Sequence, residues 1–454
     1  MPAKRFPDRV EIAAARVRAE AVEPGSSDEA ETLRLAGRVL ARRDMGKIVF
    51  LDLVDRSGRI QLLVSEQIDL NLGDIVGVSG HPAKSRRGEP SLQVRELEVL
   101  ARIGVPLPDT FHGLTDVEQR YRKRYLDLLI NAETRRSFEI RTRAVTEIRR
   151  YLDEEGFLEV ETPVLQPRYG GGFATPFSTH YNELGQDMYL RIATELYLKR
   201  LIVGGLERVY EIGKDFRNEG FSYKNSPEFT MLEWYEAYAN YEDAMMRMET
   251  LVERVALAVL GTTELSFRGH AVDVKAPWRR IRLEDALSEQ GLWNRDAAEL
   301  RAALDERGVD TSHDHTLAQL ADHALGSFVE PSLIEPTILY DYPVELSPFA
   351  RTTDDDPTLV ERFEYFVAGF ELGNACSEIN DADEQASRFR EQLEEKAAGA
   401  AEFIEDDPDY VEALSYGMPP TAGLGLGIDR LAMVLTGSET IRDVILFPAL
   451  KPRS

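Results

Sequence analysis

With one cysteine, Cys376, in 454 residues, the chain cannot form an internal disulfide, and a reducing compartment, the cytoplasm, is the expected setting. No run of 18 apolar residues occurs, so no helical membrane span is expected. The opening MPAKRFPDRV lacks the apolar stretch of a secretory signal. Four histidines (His270, His313, His315 and His323) fall in one region, without the compact spacing or the cysteine partners of a zinc site. Basic charge is also short: 54 Lys and Arg face 80 Asp and Glu, a net −26 that disfavours a nucleic-acid partner for the chain as a whole. The deficit is uneven. Residues 1–150 hold 27 basic against 23 acidic side chains, a net of +4, which leaves −30 on the remainder. A polyanion is therefore steered to the first third and needs local basic patches elsewhere.

The length allows two or three domains with ample core. Residues 1–32 mix Arg, Glu and Ala around a Pro-Gly-Ser-Ser break and read as a charged, solvated extension, with a short helix possible over Asp8–Ala21. From 33 to 103, short alternating segments separated by turns (LRLAGRVLARR, KIVFLDLVDRSG, RIQLLVS, DIVGVSGHPAKS, SLQVRELEVL) predict five strands and a small closed barrel of the OB type. Barrels of that type stack bases on exposed aromatics. Residues 104–118, with Pro106 and Pro108, read as an extended linker. The rest, 119–454, is the larger domain. It starts with a basic segment, QRYRKRYLDLL, which either approaches a nucleic acid or a partner subunit or simply starts a helix. Phe138, Val145, Ile148 and Leu152 then recur at helical spacing, and a strand, FLEVETP, follows Gly156. Residues 240–338 read as a helical, charged insertion.

The most informative stretch is RVYEIGKDFRNEGFSYKNSPEFTMLEWYEAY, residues 208–238. Two strands flank a polar loop, and Phe229, Glu233 and Tyr235 share a parity and hence a face. With Arg217 and Glu219 such a hairpin offers a guanidinium for phosphate, an aromatic platform for a base and carboxylates for a cation. On composition alone it could equally be a salt-bridged hairpin. Three glycines, Gly170, Gly171 and Gly172, supply a turn where backbone can approach a ligand closely. ERFEYFVAGFELGNACSEIND reads as a hairpin turning at Ala368–Gly369, bringing Glu364 near Glu371, an oxygen-rich pair suited to magnesium beside phosphates. Asn374, Cys376 and Glu378 alternate and face one side.

FRNEG followed by PEFTMLEWYEAY closely resembles motif 2 of class II aminoacyl-tRNA synthetases, and their lysyl branch in particular. EIRRYLDEEGFLEVETPVL (Glu147–Leu165) resembles motif 1, and GLGLGIDRLAMVLTGSETIRDVILFPALKP (Gly423–Pro452) resembles motif 3. The resemblance covers the chain from about Leu33. It implies an α+β protein: an OB-fold anticodon-binding barrel, then a class II catalytic domain on an antiparallel sheet, dimeric through motif 1. It implies activation of L-lysine by ATP and transfer to tRNA(Lys), with Mg²⁺ on Glu364 and Glu371. By the same resemblance Arg217 holds the α-phosphate and Arg430 the γ-phosphate, while Glu219 and Phe229 hold adenine. Asn225 stands in the ATP-contacting loop. Glu195 is matched to the α-ammonium, Asn374 to the carboxylate, and Tyr235 with Glu378 to the ε-ammonium, against a wall of Gly171, Gly172 and Cys376. Phe50, Gln61 and Glu89 match anticodon readers.

Three positions depart from the pattern. Asn225-Ser226 replaces His-Asn, Cys376 replaces an aromatic, and Thr175 replaces an arginine. An altered-substrate paralogue and a non-catalytic RNA-binding regulator on the same fold are the alternatives.

Overall fold

Alternation builds the smaller of two units, Met1–Arg120 and Tyr121–Ser454, into which the chain divides. The structure, a computed structural model, describes residues 5–46, 48–108, 113–294, 296–312, 314, 316–397 and 406–452. Lys4, part of the expected linker (109–112), His313 and His315 lie outside the described residues.

Strands β1 (Leu33–Met45), β2 (Ile48–Val54), β3 (Arg59–Val64), β4 (Ile75–Lys84) and β5 (Pro90–Ala101) close into a barrel in the order β1-β2-β3-β5-β4. Val49, Leu51, Leu53, Ile60, Leu62 and Val64 fill its interior. The intervening positions of the same strands, Phe50, Asp52, Gln61 and Leu63, therefore point outwards. The expectation for residues 1–32 needs correcting. A helix, Ile12–Glu20, buries Ile12, Ala15 and Ala19, and Ile12 and Ala15 join the barrel core. Burying those side chains outweighs solvating them. The helix's arginines are paired as well, Arg16 with Glu20 and Glu89, and Arg18 with Glu31.

The larger unit is organised on a sheet of strands β6 (Leu158–Glu159), β10 (Arg208–Phe216), β11 (Glu228–Ala237), β14 (Arg279–Arg282), β15 (Thr337–Pro343), β16 (Leu359–Val367), β17 (Phe370–Ser377) and β18 (Thr421–Gly427). Among the described residues its order is β14-β15-β16-β17-β18-β11-β10-β6. The centre, β15 through β10, is antiparallel; both edge pairs, β14 with β15 and β6 with β10, are parallel. The expected antiparallel sheet thus holds for the centre and not for the edges. Strands β7 (Leu165–Gln166), β8 (Ser178–Tyr181) and β9 (Gln186–Leu190) form a small separate sheet.

Helices Ala132–Glu154, Tyr241–Leu260 and Ile428–Thr436 cover one face. They pack on Tyr210, Leu232, Trp234, Leu372, Leu424 and Leu426. Because side chains alternate, Glu211, Glu233, Tyr235, Gly423 and Gly425 are left for the opposite face. The region 240–338 is less helical than expected. It contains the hairpin β12 (Glu264–Phe267) and β13 (His270–Asp273) and supplies edge strand β14, and its first helix belongs to the main core. The basic segment also gains a definite role at Arg124. This fully buried arginine pairs with Asp127 at 2.5 Å and donates to the carbonyls of Arg442, Ile445 and Leu446, pinning the chain's last segment. A nucleic acid cannot reach it.

Candidate active site

On the uncovered face a cavity of about 470 Å³ opens over the middle of the sheet. Gly171, Gly172, Glu195, Arg217, Tyr235, Glu364, Glu371, Asn374, Cys376 and Glu378 all line it, drawn together from positions more than 200 residues apart. The rest of the expected set lies elsewhere. Phe229 is half-buried beneath Arg217, whose guanidinium carbon sits 5.2 Å from the ring centroid. Arg430 lies beyond the wall, donating to Glu371 at 2.7 Å and to the Asn225 side chain at 3.2 Å. Glu219 is exposed on the loop, its backbone N–H donating to the Arg217 carbonyl at 2.9 Å.

Local geometry explains who faces the cavity. Between the pairs Tyr365–Gly373 and Phe366–Glu371 the register slips by one residue on β17. That bulge lets Glu371 and Asn374, three residues apart, share one side while Leu372 and Ala375 enter the core. On β18 a side chain at Gly423 would meet Glu378 Oε1 at 2.0 Å and Tyr235 at 2.4 Å. The glycine is what leaves room for that carboxylate and that ring. Gly171, at φ +84°, takes a turn that favours glycine and abuts Glu195.

The layer behind the cavity's lining is rich in buried charge. Arg191, 2% exposed, pairs with Glu211 at 2.6 Å and Asp215 at 3.1 Å. Lys199, with no exposed surface, contacts Glu195 and Glu378 at 2.5 Å each. Glu233 accepts from the Thr194 backbone and the Tyr235 hydroxyl, each at 3.3 Å. Burial, with the charges of Asp215 and Glu195, pushes Glu233 up to about 8. Burial raises Asp215 to about 6 against the pull of Arg191 and Arg217. Glu378 rises to about 7, because burial and Glu195 outweigh Lys199. For Lys199 the balance reverses: burial works against its charge, and the two carboxylates prevail, holding it well above the usual lysine value.

At the other end, burial and Glu371 raise Glu364 to about 8 although Arg362 donates to it at 2.6 Å. Burial works on Glu371 in the same direction, but Arg430 overrides it and holds that group low. Arg217 lines the cavity, and its Nε is buried without a hydrogen-bond partner among the described residues. The cavity thus has a carboxylate-rich end, a guanidinium at its middle and an acid pair beyond, an arrangement complementary to a cationic amino acid joined to a metal-bound polyphosphate.

Sequence reasoning missed Arg191 and Lys199 as parts of this layer. Its signal, a basic residue four positions after Glu195 for Lys199, is common to any surface helix. On the barrel, Phe50 is half-buried on the outer face, and Gln61 accepts from Arg43 at 3.1 Å and donates to Ser91 at 2.9 Å. Ser91 in turn donates to the Glu89 backbone carbonyl at 2.8 Å, while the Glu89 side chain meets Arg16 at 3.4 Å.

Residues 116–451 match the family of class II tRNA synthetases for D, K and N, and residues 33–100 match OB-fold nucleic-acid-binding domains. The chain is 49% identical to a lysine–tRNA ligase of Chloroflexus aurantiacus, over 94% of this chain and 90% of that one. It is 48% identical to one from Dehalococcoides mccartyi strain BAV1, over 93% and 88% of the two chains. A third lysine–tRNA ligase, from Carboxydothermus hydrogenoformans, is 47% identical over 93% and 90%.

Proposed function

The chain belongs to the class II tRNA synthetases of the D, K and N group, and from that membership we propose that it is a lysine–tRNA ligase. It activates L-lysine with ATP and transfers the lysyl group to the 3′ end of tRNA(Lys). The observation that carries this reading is the carboxylate-rich end of the cavity. Glu378 and Tyr235 take the ε-ammonium, Glu195 the α-ammonium, and Asn374 the carboxylate. Gly171, Gly172 and Cys376 complete the wall. An amino acid without the ε-ammonium leaves Glu378 to Lys199 alone and the negative charge of that end unmatched, a mismatch that costs roughly 10⁴–10⁵ in selectivity. Aspartate or asparagine, the other substrates of the group, offers no cation to Glu378.

The lysine carboxylate is already ionised at neutral pH and needs no general base. It attacks the α-phosphorus of ATP, the bond to the bridging oxygen breaks, and pyrophosphate leaves. Alignment and charge neutralisation do the work. Arg217 meets the α-phosphate with its unpartnered donor, Arg430 the γ-phosphate, and Phe229 and Glu219 the adenine; Asn225 stays beside Arg430 at the phosphate end. The tRNA hydroxyl then attacks the adenylate carbonyl and AMP departs.

Glu364 and Glu371 suit Mg²⁺. They are like-charged neighbours on facing strands whose repulsion a divalent ion relieves. Among the described residues no cluster of three or more metal-ligating side chains occurs. Two carboxylates with phosphate oxygens and water match magnesium rather than a protein-caged metal. Bound there, the ion would neutralise charge on phosphate oxygens.

Phe50, Gln61 and Glu89 read the anticodon from the outer face of the barrel, Phe50 by stacking. A homodimer forms at the opposite edge of the sheet. There β6 is only two residues long, and Leu158, Tyr238 and Met246, each more than half exposed, line a cavity of about 990 Å³. The setting is cytoplasmic; among the described residues no helix is long and apolar enough to cross a membrane.

ATP–pyrophosphate exchange with each of the twenty amino acids and Mg²⁺ tests the reading. Exchange with lysine alone is expected. Exchange with another amino acid instead would mean a pocket rebuilt around Cys376, and ATP binding without any exchange would leave a regulator.

A further inference from the structure

The two carboxylates matched to the two ammonium groups of lysine share one protein cation. Lys199 Nζ lies 2.5 Å from Glu195 and 2.5 Å from Glu378, and both carboxylates line the cavity while Lys199 does not. The ammonium sits behind the wall, one helical turn beyond Glu195, fully buried against the Phe349 ring at 4.8 Å and the Tyr235 and Tyr410 rings at 5.9 Å. A buried lysine is costly unless its charge is matched. Here it is matched by the groups that the substrate itself must engage, and hydrophobic residues could have filled the same volume without that cost. We propose that Lys199 is the internal counter-ion of the amino-acid pocket, a positioning residue that holds Glu195 and Glu378 in place for the two ammonium groups of lysine and favours the charged form of Glu378. The proposal rests on the lysine-site reading above.

The charge count supports it. Glu195 and Glu378 against Lys199 leave that end of the cavity one negative charge, which lysine, a net monocation, neutralises on binding. Without Lys199 two carboxylates would face each other in a buried site, and one would take up a proton. The other titratable groups facing Lys199 and Glu378 are Tyr235 from β11, Cys376 from β17 and Tyr410 from the helix Pro408–Ser415, and Glu233 from β11 faces Glu195 and Tyr235. Burial carries Tyr235, Cys376 and Tyr410 upward, away from neutral pH, so only Glu233 titrates in the same range as Glu378.

The test is the KM for lysine in ATP–pyrophosphate exchange at saturating ATP, measured from pH 6 to 9 in the full-length protein, in Lys199→Met and in Lys199→Gln. Glu233→Gln identifies the contribution of the second titrating group. In the unsubstituted protein KM should fall as pH rises and level off above about 7, the value for Glu378. In Lys199→Met the levelling should move alkaline by one unit or more, so that KM at pH 7 rises at least about fivefold while kcat changes less. Lys199→Gln keeps a donor for both carboxylates without the charge, so it should fold even if the apolar variant does not, and should show the same alkaline move. An unchanged pH profile in either folded variant, with loss confined to thermal stability or kcat, overturns the proposal. So does a break near 9 in the unsubstituted protein, where a buried carboxyl with no cation beside it titrates. Absence of lysine-dependent exchange in the unsubstituted protein would instead refute the lysine-site reading, which separates the two failures.

Discussion

The barrel and the catalytic sheet handle charge in opposite ways. On the barrel, Arg43 and Arg59 are more than half exposed and meet Asp52 at 3.7 and 3.1 Å, pairs that water and salt screen and that contribute little to stability. Under the cavity, Arg191 and Lys199 are dry and each is held by two carboxylates. Exposed charges can let go of a neighbour to take up a phosphate, at small cost, which suits a surface that grips a polyanion and releases it. Buried charges are costly to assemble and are fixed in place, which suits a pocket that must tell one ammonium-bearing side chain from apolar ones of equal length.

The largest effect expected from breaking this contrast is at Arg217, which lines the cavity and whose Nε is buried without a hydrogen-bond partner among the described residues. Arg217→Ala should slow lysine-dependent pyrophosphate exchange by about 10³-fold, mostly in kcat. On the barrel the effect should be smaller and confined to tRNA. Phe50→Ala should lower kcat/KM for tRNA charging by roughly 5- to 150-fold, the value of one stacked base, with exchange in the absence of tRNA as the internal reference. The smallest effect is on stability. Glu233 titrates at about 8 in the folded protein against an ordinary 4.5, so the folded state holds this proton more tightly than the unfolded chain does. Its contribution is complete below about 4.5 and is lost as pH rises through about 8. The Tm of the unsubstituted protein should therefore fall between pH 6 and 9 more steeply than that of Glu233→Gln, by about 2 °C.

The two units were also unequally legible in sequence. Barrel strands announce themselves by alternation, and so does the inward set Val49, Leu51 and Leu53. Which of the two faces points in is decided only by closure, and Phe50, as an aromatic, would have been placed inside on burial preference alone. The helix Ile12–Glu20 had a weak signal, Ile12, Ala15 and Ala19 at helical spacing amid arginines, too small a stripe to suggest docking. In the larger unit the motif residues were readable, and ten of them do line one cavity. What could not be read was the bulge that turns Glu371 toward Asn374, because a register slip depends on the partner strand. Nor could the pairings of Arg191 with Glu211 and of Lys199 with Glu378, which join residues 20 and 179 positions apart. For Arg124 the sequence alone allows a nucleic-acid, partner or structural role, and its carbonyl partners Arg442 and Leu446 decide for the structural one.

The central claim is that a buried carboxylate selects lysine, and Glu378→Gln tests it most directly. Pyrophosphate exchange would be measured with lysine and with norleucine, which has the same length and no ammonium. The account predicts that lysine exchange falls by about 10³-fold or more while norleucine changes little, collapsing the preference between them. Lysine exchange within tenfold of the unsubstituted protein, with norleucine still rejected, would contradict it.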